Sequence, residues 1–253
     1  MGEVAFWVSM GVVAIGTSIL SGVLGMAGGM VLLSALLLRL EPVVAIPVHG
    51  IVQLVSNASR AWFLREHVRK KLVIPFVLPL LPAGALGVVL LGSLPPAVGK
   101  MLIGTFVLVF TWRASRTHEQ GTPPEHPERM LAIAGAIVGF FSTLIGATGP
   151  LLAPFIMALE LAPQATVGTM AACQVFQHAS KVAVFGFAGF DFRDRVAPAL
   201  ALSVCAILGS AVGTRWLDRI DRDLFRRIVK VVLTLLALQL LVSGAWALGH
   251  ATR

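Results

Sequence analysis

His49, Gln53, Asn57 and Arg60 follow one another at spacings of four, four and three, which places all four side chains on one face of a helix. The residues around them are apolar enough to enter a bilayer. Polar and ionisable groups inside a membrane helix are costly, and they face a bundle interior or a wet cavity. Such a stripe offers neutral hydrogen bonds and one cation, the combination that suits a small anion. A second stripe repeats its last three members 121 residues on: Gln53 matches Gln174, Asn57 matches His178, and Arg60 matches Lys181. Arg60 has an alternative reading, because it lies only five residues before Arg65 and has the length to snorkel to the membrane interface. Lys181 is followed by nine uncharged residues before Asp191, so that explanation does not extend to it. His178 could carry a coupled proton, or serve as a hydrogen-bonding group alone.

At the same offset a glycine-rich segment precedes each stripe. Leu24-Gly25-Met26-Ala27-Gly28-Gly29 is matched by Ile145-Gly146-Ala147-Thr148-Gly149-Pro150. In lipid, unwinding a helix strands backbone N–H and C=O groups at several kcal/mol apiece, so a break survives only where protein, water or a ligand satisfies them. Thr148 has the side chain of a helix cap, and Pro150 suits a first helical turn, where no N–H is needed. A helix starting at each break would present free N–H donors and a positive partial charge of roughly half an elementary unit, which attracts an anion. On this reading Gly28 and Gly149 face a cavity, and a Leu at either would abolish binding while the fold survives. The competing reading is tight helix packing, since Gly25 and Gly29 also make a small-xxx-small pair.

The elements that must position these residues follow from composition. With 57% hydrophobic and 13% charged residues and a mean hydropathy of +0.88, the chain has too few polar groups to cover itself in water. It reads as an all-α, polytopic membrane protein of two homologous repeats, 1–114 and 130–253, joined by a polar, proline-rich linker over 115–129. Each repeat is expected to hold a glycine-broken first helix, a short half-helix and three further helices. The apolar runs 30–40 and 150–161 are too short for the roughly 20 residues that span a bilayer, hence half-helices. The run from Val4 to Leu24 reads as a permanent membrane element and not a cleaved signal. Cys173 and Cys205 lie in apolar runs and read as packing residues; Gly209 and Gly213 fit helix packing.

Loop charges test orientation, because Lys and Arg collect on the cytoplasmic side. If each half crossed four times the halves would be parallel. Arg65, Arg69, Lys70, Lys71, Arg113, Arg116, Arg129, Arg193, Arg195 and Arg253 would then share one face, against eight on the other. If each broken helix returns to its own side, the halves are inverted. The six basic residues from Arg215 to Lys230 then join the face of the 65–71 loop while Arg193, Arg195 and Arg253 leave it, and the split becomes 13 to 5. The inverted arrangement is preferred, with both termini outside. The net charge of +8 belongs mostly to a basic cytoplasmic face against anionic lipid.

Leu24-Gly-Met-Ala-Gly-Gly-Met30 and Ile145-Gly-Ala-Thr-Gly-Pro-Leu151, each leading into a short apolar helix and then a Gln/Asn/Ser-patterned one, resemble the TauE/SafE family of sulfite and organosulfonate exporters. The resemblance extends over essentially the whole chain. It implies a permease of the bacterial inner membrane for small oxyanions such as sulfite, thiosulfate or sulfonates, usually described with four plus four crossings. The site expected on both grounds comprises Gly25, Gly28, Gly29, Gln53, Asn57, Arg60, Gly146, Thr148, Gly149, Gln174, His178 and Lys181. An anion channel would share that lining. The sequence shows no nucleophile elbow, phosphate loop, zinc motif or nucleic-acid module, so no enzyme activity, cofactor or nucleic-acid partner is expected. The expected partners are a small anion, a coupling proton or ion, and lipid; a second copy of the chain is a further candidate.

Overall fold

A computed structural model of the protein describes residues 2–24, 28–113, 124–215 and 222–251. Gly25, with Met26 and Ala27, lies outside the described residues, as do most of the linker and the 216–221 segment containing Arg219. The described chain is all helical: α1 (Glu3–Leu24), α2 (Gly28–Leu36), α3 (Pro42–Phe63), α4 (Lys70–Val77), α5 (Leu80–Ser93), α6 (Pro96–Arg113), α7 (Pro127–Leu144), α8 (Gly149–Met157), α9 (Pro163–Phe187), α10 (Arg193–Arg215) and α11 (Arg222–Ala251). Element boundaries keep the register of the sequence match. Gly28 and Gly149 open the two short helices, Leu36 and Met157 close them, and Pro42 and Pro163 open the next, each pair 121 apart. Both of those prolines stand in the first turn, where the missing N–H costs nothing.

The third long helix of the first half is two helices, α4 and α5, bent by 44°. Pro79 stands at the bend as the residue that caps α5, where its ring and missing N–H interrupt the helical ladder. Pro127, near the end of the polar stretch 115–129, begins α7.

Among the described residues five helices are long and apolar enough to cross a membrane, or six if the bent pair counts as one span. The long α9 is not among them, since it carries Gln174, Gln177, His178 and Lys181. Large apolar side chains such as Val12, Leu86, Val89, Phe187, Leu208 and Val242 stand exposed on the outer surface, which suits lipid and not water.

Contacts along the helices fix the chain's course. Gly28 sits against the Thr17 carbonyl of α1, and Arg39, just past α2, lies 5.5 Å over the Phe6 ring at the start of α1. The chain therefore folds back between α1 and α2, and the pair returns to the end it started from. In the second half, Leu131 near the start of α7 and Ile156 near the end of α8 share one apolar cluster. The central pair, α3 and α9, run antiparallel: Leu64 meets Gly168 at one end, and Gly50 meets Lys181 midway. Helix α10 runs parallel to α1, with Gly209 against the Ile15 carbonyl and Gly213 against that of Ile19, as the small-residue reading expects. The other half repeats this contact: Gly135 and Gly139 of α7 lie on the Phe76 and Leu80 carbonyls at the α4–α5 junction. Following the chain through these contacts, the end with the 65–71 loop also receives Arg113, Arg129, Arg215 and the start of α11. The other end receives Arg39, Lys100, Arg193 and Arg195. Among the described residues this is the charge grouping of inverted halves.

Candidate functional site

Where α3 and α9 cross, they bring both stripes to a small cavity of about 20 Å3 lined by Ser21, Gly29, Met30, His49, Gln53, Ala147, Thr148, Gly149, Pro150, Gln174 and His178. The first residues of α2 and α8 thus meet in one place, although they are 121 residues apart in sequence. Gly29 leaves room there: a Cβ on it would stand 3.4 Å from Gln53 Cδ and 3.5 Å from His49 Nε2. His49 and His178, one from each half, meet edge to face with ring centroids 5.7 Å apart. Neither nitrogen of His49 has a partner at full hydrogen-bond geometry, and the polar group acting on the ring from the short helix is the Gly29 backbone.

Lys181 is wholly buried, and its ammonium donates to the Gly146 carbonyl and to His178 Nδ1. An ammonium has no acceptor to offer, so Nδ1 accepts and the proton of a neutral His178 sits on Nε2. Gly146 adopts φ +92°, a backbone conformation open to glycine, and a Cβ there would run into Leu33 of α2. The second break is thereby held from three sides: by its own backbone geometry, by Lys181 of α9 and by the first half's short helix.

Other expected residues take different places. Thr148 occupies the cap position of α8, but its hydroxyl makes no capping bond; it accepts from Gln177 Nε2 at 2.9 Å. The expectation of a threonine side-chain cap fails because α9 competes for the oxygen. Gly28 does not face the cavity: any side chain on it would collide with the Thr17 carbonyl and Ser21 Oγ, so at this position packing governs. Arg60 does not snorkel. It is 1% exposed, and its Nη1 donates to Asn57 Oδ1 at 3.1 Å, while Asn57 Nδ2 donates to the Gln53 carbonyl at 2.8 Å. Asn57 and Arg60 are not among the cavity-lining residues.

Ser21, which lines the cavity, and Gln177, which bonds Thr148, are not singled out by spacing. Gln177 carried a usable signal, as an amide three residues after Gln174 in an apolar helix. Its register partner is Ser56, whose hydroxyl lies 3.3 Å from that of Ser18 and 3.2 Å from that of Ser210, joining α1, α3 and α10. Ser21 carried no such signal, since a serine in a transmembrane helix commonly bonds its own backbone.

The bundle is that of a polytopic membrane protein with a polar cavity where two broken helices meet. The family model described as sulfite exporter TauE/SafE matches residues 10–240, and the chain belongs to that family of membrane transporters. No curated protein and no solved structure matches the chain.

Proposed function

We propose that the chain carries small oxyanions, with sulfite, thiosulfate and organosulfonates as the substrate class, across the bacterial inner membrane by alternating access at the central cavity. The observation that carries this reading is the meeting of both helix breaks and both polar stripes at that cavity. The N-terminal turns of α2 and α8, which line the cavity through Gly29 and Gly149, supply partial positive charge. Gln53, Gln174 and His178 supply neutral hydrogen bonds. Lys181, with Gly146, supports the second break and adds a cation just behind His178. The two halves act as inverted repeats that rock about this site, with the basic end cytoplasmic and both termini outside. Saturable exchange of labelled sulfite in proteoliposomes tests the carrier. Unitary currents without saturable exchange would instead make the same lining that of an anion channel.

A further inference from the structure

Arg60 is a buried cation with two of its three guanidinium nitrogens unpartnered. The Asn57 side chain holds Nη1, and Asn57 is itself tied to the Gln53 carbonyl, so the guanidinium is positioned from one side by a chain of bonds along α3. Nε and Nη2 have no partner at all. These two nitrogens share one edge of the guanidinium plane and point their N–H groups in parallel, the fork that grips two oxygens of a carboxylate, sulfonate or sulfite. A buried charge with unsatisfied donors is expensive unless an opposite charge meets it. Among the residues whose side chains are described, none is offered here. Among the described residues no Asp or Glu is buried, and the ion pairs, Arg65–Glu66 and His126–Glu128, are elsewhere and exposed.

Its position gives the unfilled fork a use. Arg60 lies seven residues beyond cavity-lining Gln53, about 10 Å along α3, and four residues before Leu64, where the helix reaches the basic loop of Arg65, Arg69 and Lys70. We infer that the Nε–Nη2 edge of Arg60 is a second oxyanion station, separate from the central cavity and between it and the basic end of the protein. Building on the oxyanion reading above, it adds a step to the path. An anion leaving or approaching the cavity exchanges the amide donors of Gln53 and Gln174 for the guanidinium fork before it meets the loop. Lys181, the register partner, does not offer the same station, because its ammonium is committed to Gly146 and His178.

The experiment is equilibrium binding of labelled sulfite to the full chain in phosphatidylcholine nanodiscs, which carry no anionic headgroup to compete. The parent should bind two sulfites per chain. Arg60→Lys keeps the charge and removes the fork; it should bind one, with the remaining affinity changed by less than about threefold. Gln174→Leu should also bind one, and that one should disappear when Arg60→Lys is added. Asn57→Asp, which places a carboxylate beside the guanidinium, should reduce the count to one even if Arg60→Lys does not fold. A parent that binds one sulfite, lost in Gln174→Leu and untouched by Arg60→Lys and Asn57→Asp, overturns the second station and leaves the central one. A single sulfite lost only with Arg60→Lys or Asn57→Asp keeps the station and overturns the central reading, and no binding overturns both. Two sulfites in a parent with anionic lipid added, but one without it, would assign the fork to a lipid headgroup and overturn the station as a substrate step.

Discussion

Arg60 and Lys181 hold the same register position in the two halves and are equally buried, yet they do different work. The lysine is a point charge whose donors are taken by a carbonyl of its own break and by a cavity histidine. The arginine is fixed through Nη1, and its outer edge is left open. The stripes differ in the same sense. His178 replaces Asn57, and His49, which has Met170 as its counterpart, has no imidazole partner in register. The asymmetry teaches that a repeated framework fixes where a cation stands, while the side chain's donor geometry decides whether it braces the backbone or awaits a ligand.

The comparison rests on the halves being inverted, and the first prediction is all or none. In a protein lacking Cys173 and Cys205, single cysteines at Glu66 and at Arg227 should react with an impermeant maleimide from the same side of the membrane, and one at Gly2 from the other. Labelling of Glu66 and Arg227 from opposite sides would restore parallel halves and dissolve the equivalence of the two cations. Next in size is Gly146→Ala. The strained backbone costs about 1–3 kcal/mol, and the contact with Leu33 and Ile46 adds to it, so the thermal midpoint of the purified protein should fall clearly. Gly29→Ala, which meets its neighbours at ordinary contact distances, should leave the midpoint nearly unchanged and weaken sulfite binding. Equal melting of the two variants would mean that the second break is not the braced one. The smallest effect expected is that of Lys181→Gln, which removes a charge behind the cavity. Sulfite affinity should drop at least tenfold, about 1.4 kcal/mol, in calorimetry. An unchanged affinity would leave the helix termini and amides to hold the anion alone.

Much of this was legible in residue spacing because the same pattern stands twice in the sequence, 121 residues apart. The two short helices start at Gly28 and Gly149 as the breaks require, and Gln53, Gln174 and His178 reach one cavity as their stripes predict. What sequence did not carry was the choice between neighbours. Gly28 and Gly29 are identical residues in adjacent positions, but successive positions of a helix point about 100° apart, so one packs on a backbone carbonyl and the other opens the cavity. Thr148 had the right side chain to cap α8, and only the tertiary approach of Gln177 redirects its hydroxyl. The depth of Arg60 was likewise invisible from its distance to Arg65, because the packing of α9 and α10 on α3 decides whether water reaches that turn. The bend at Pro79 could not be read from the presence of a proline alone, since Pro198 sits inside an unbroken α10.

The central claim is that the cavity between the two breaks holds an oxyanion. Selenite has the shape and charge of sulfite and scatters anomalously, so it reports its own position in a crystal. Diffraction at the selenium edge from the Cys173→Ala, Cys205→Ala protein soaked with selenite should show a peak between Gly29 and Gly149, within hydrogen-bonding reach of Gln53 or Gln174. An occupied selenite confined to the surface or the loops, with that cavity empty, would contradict the account.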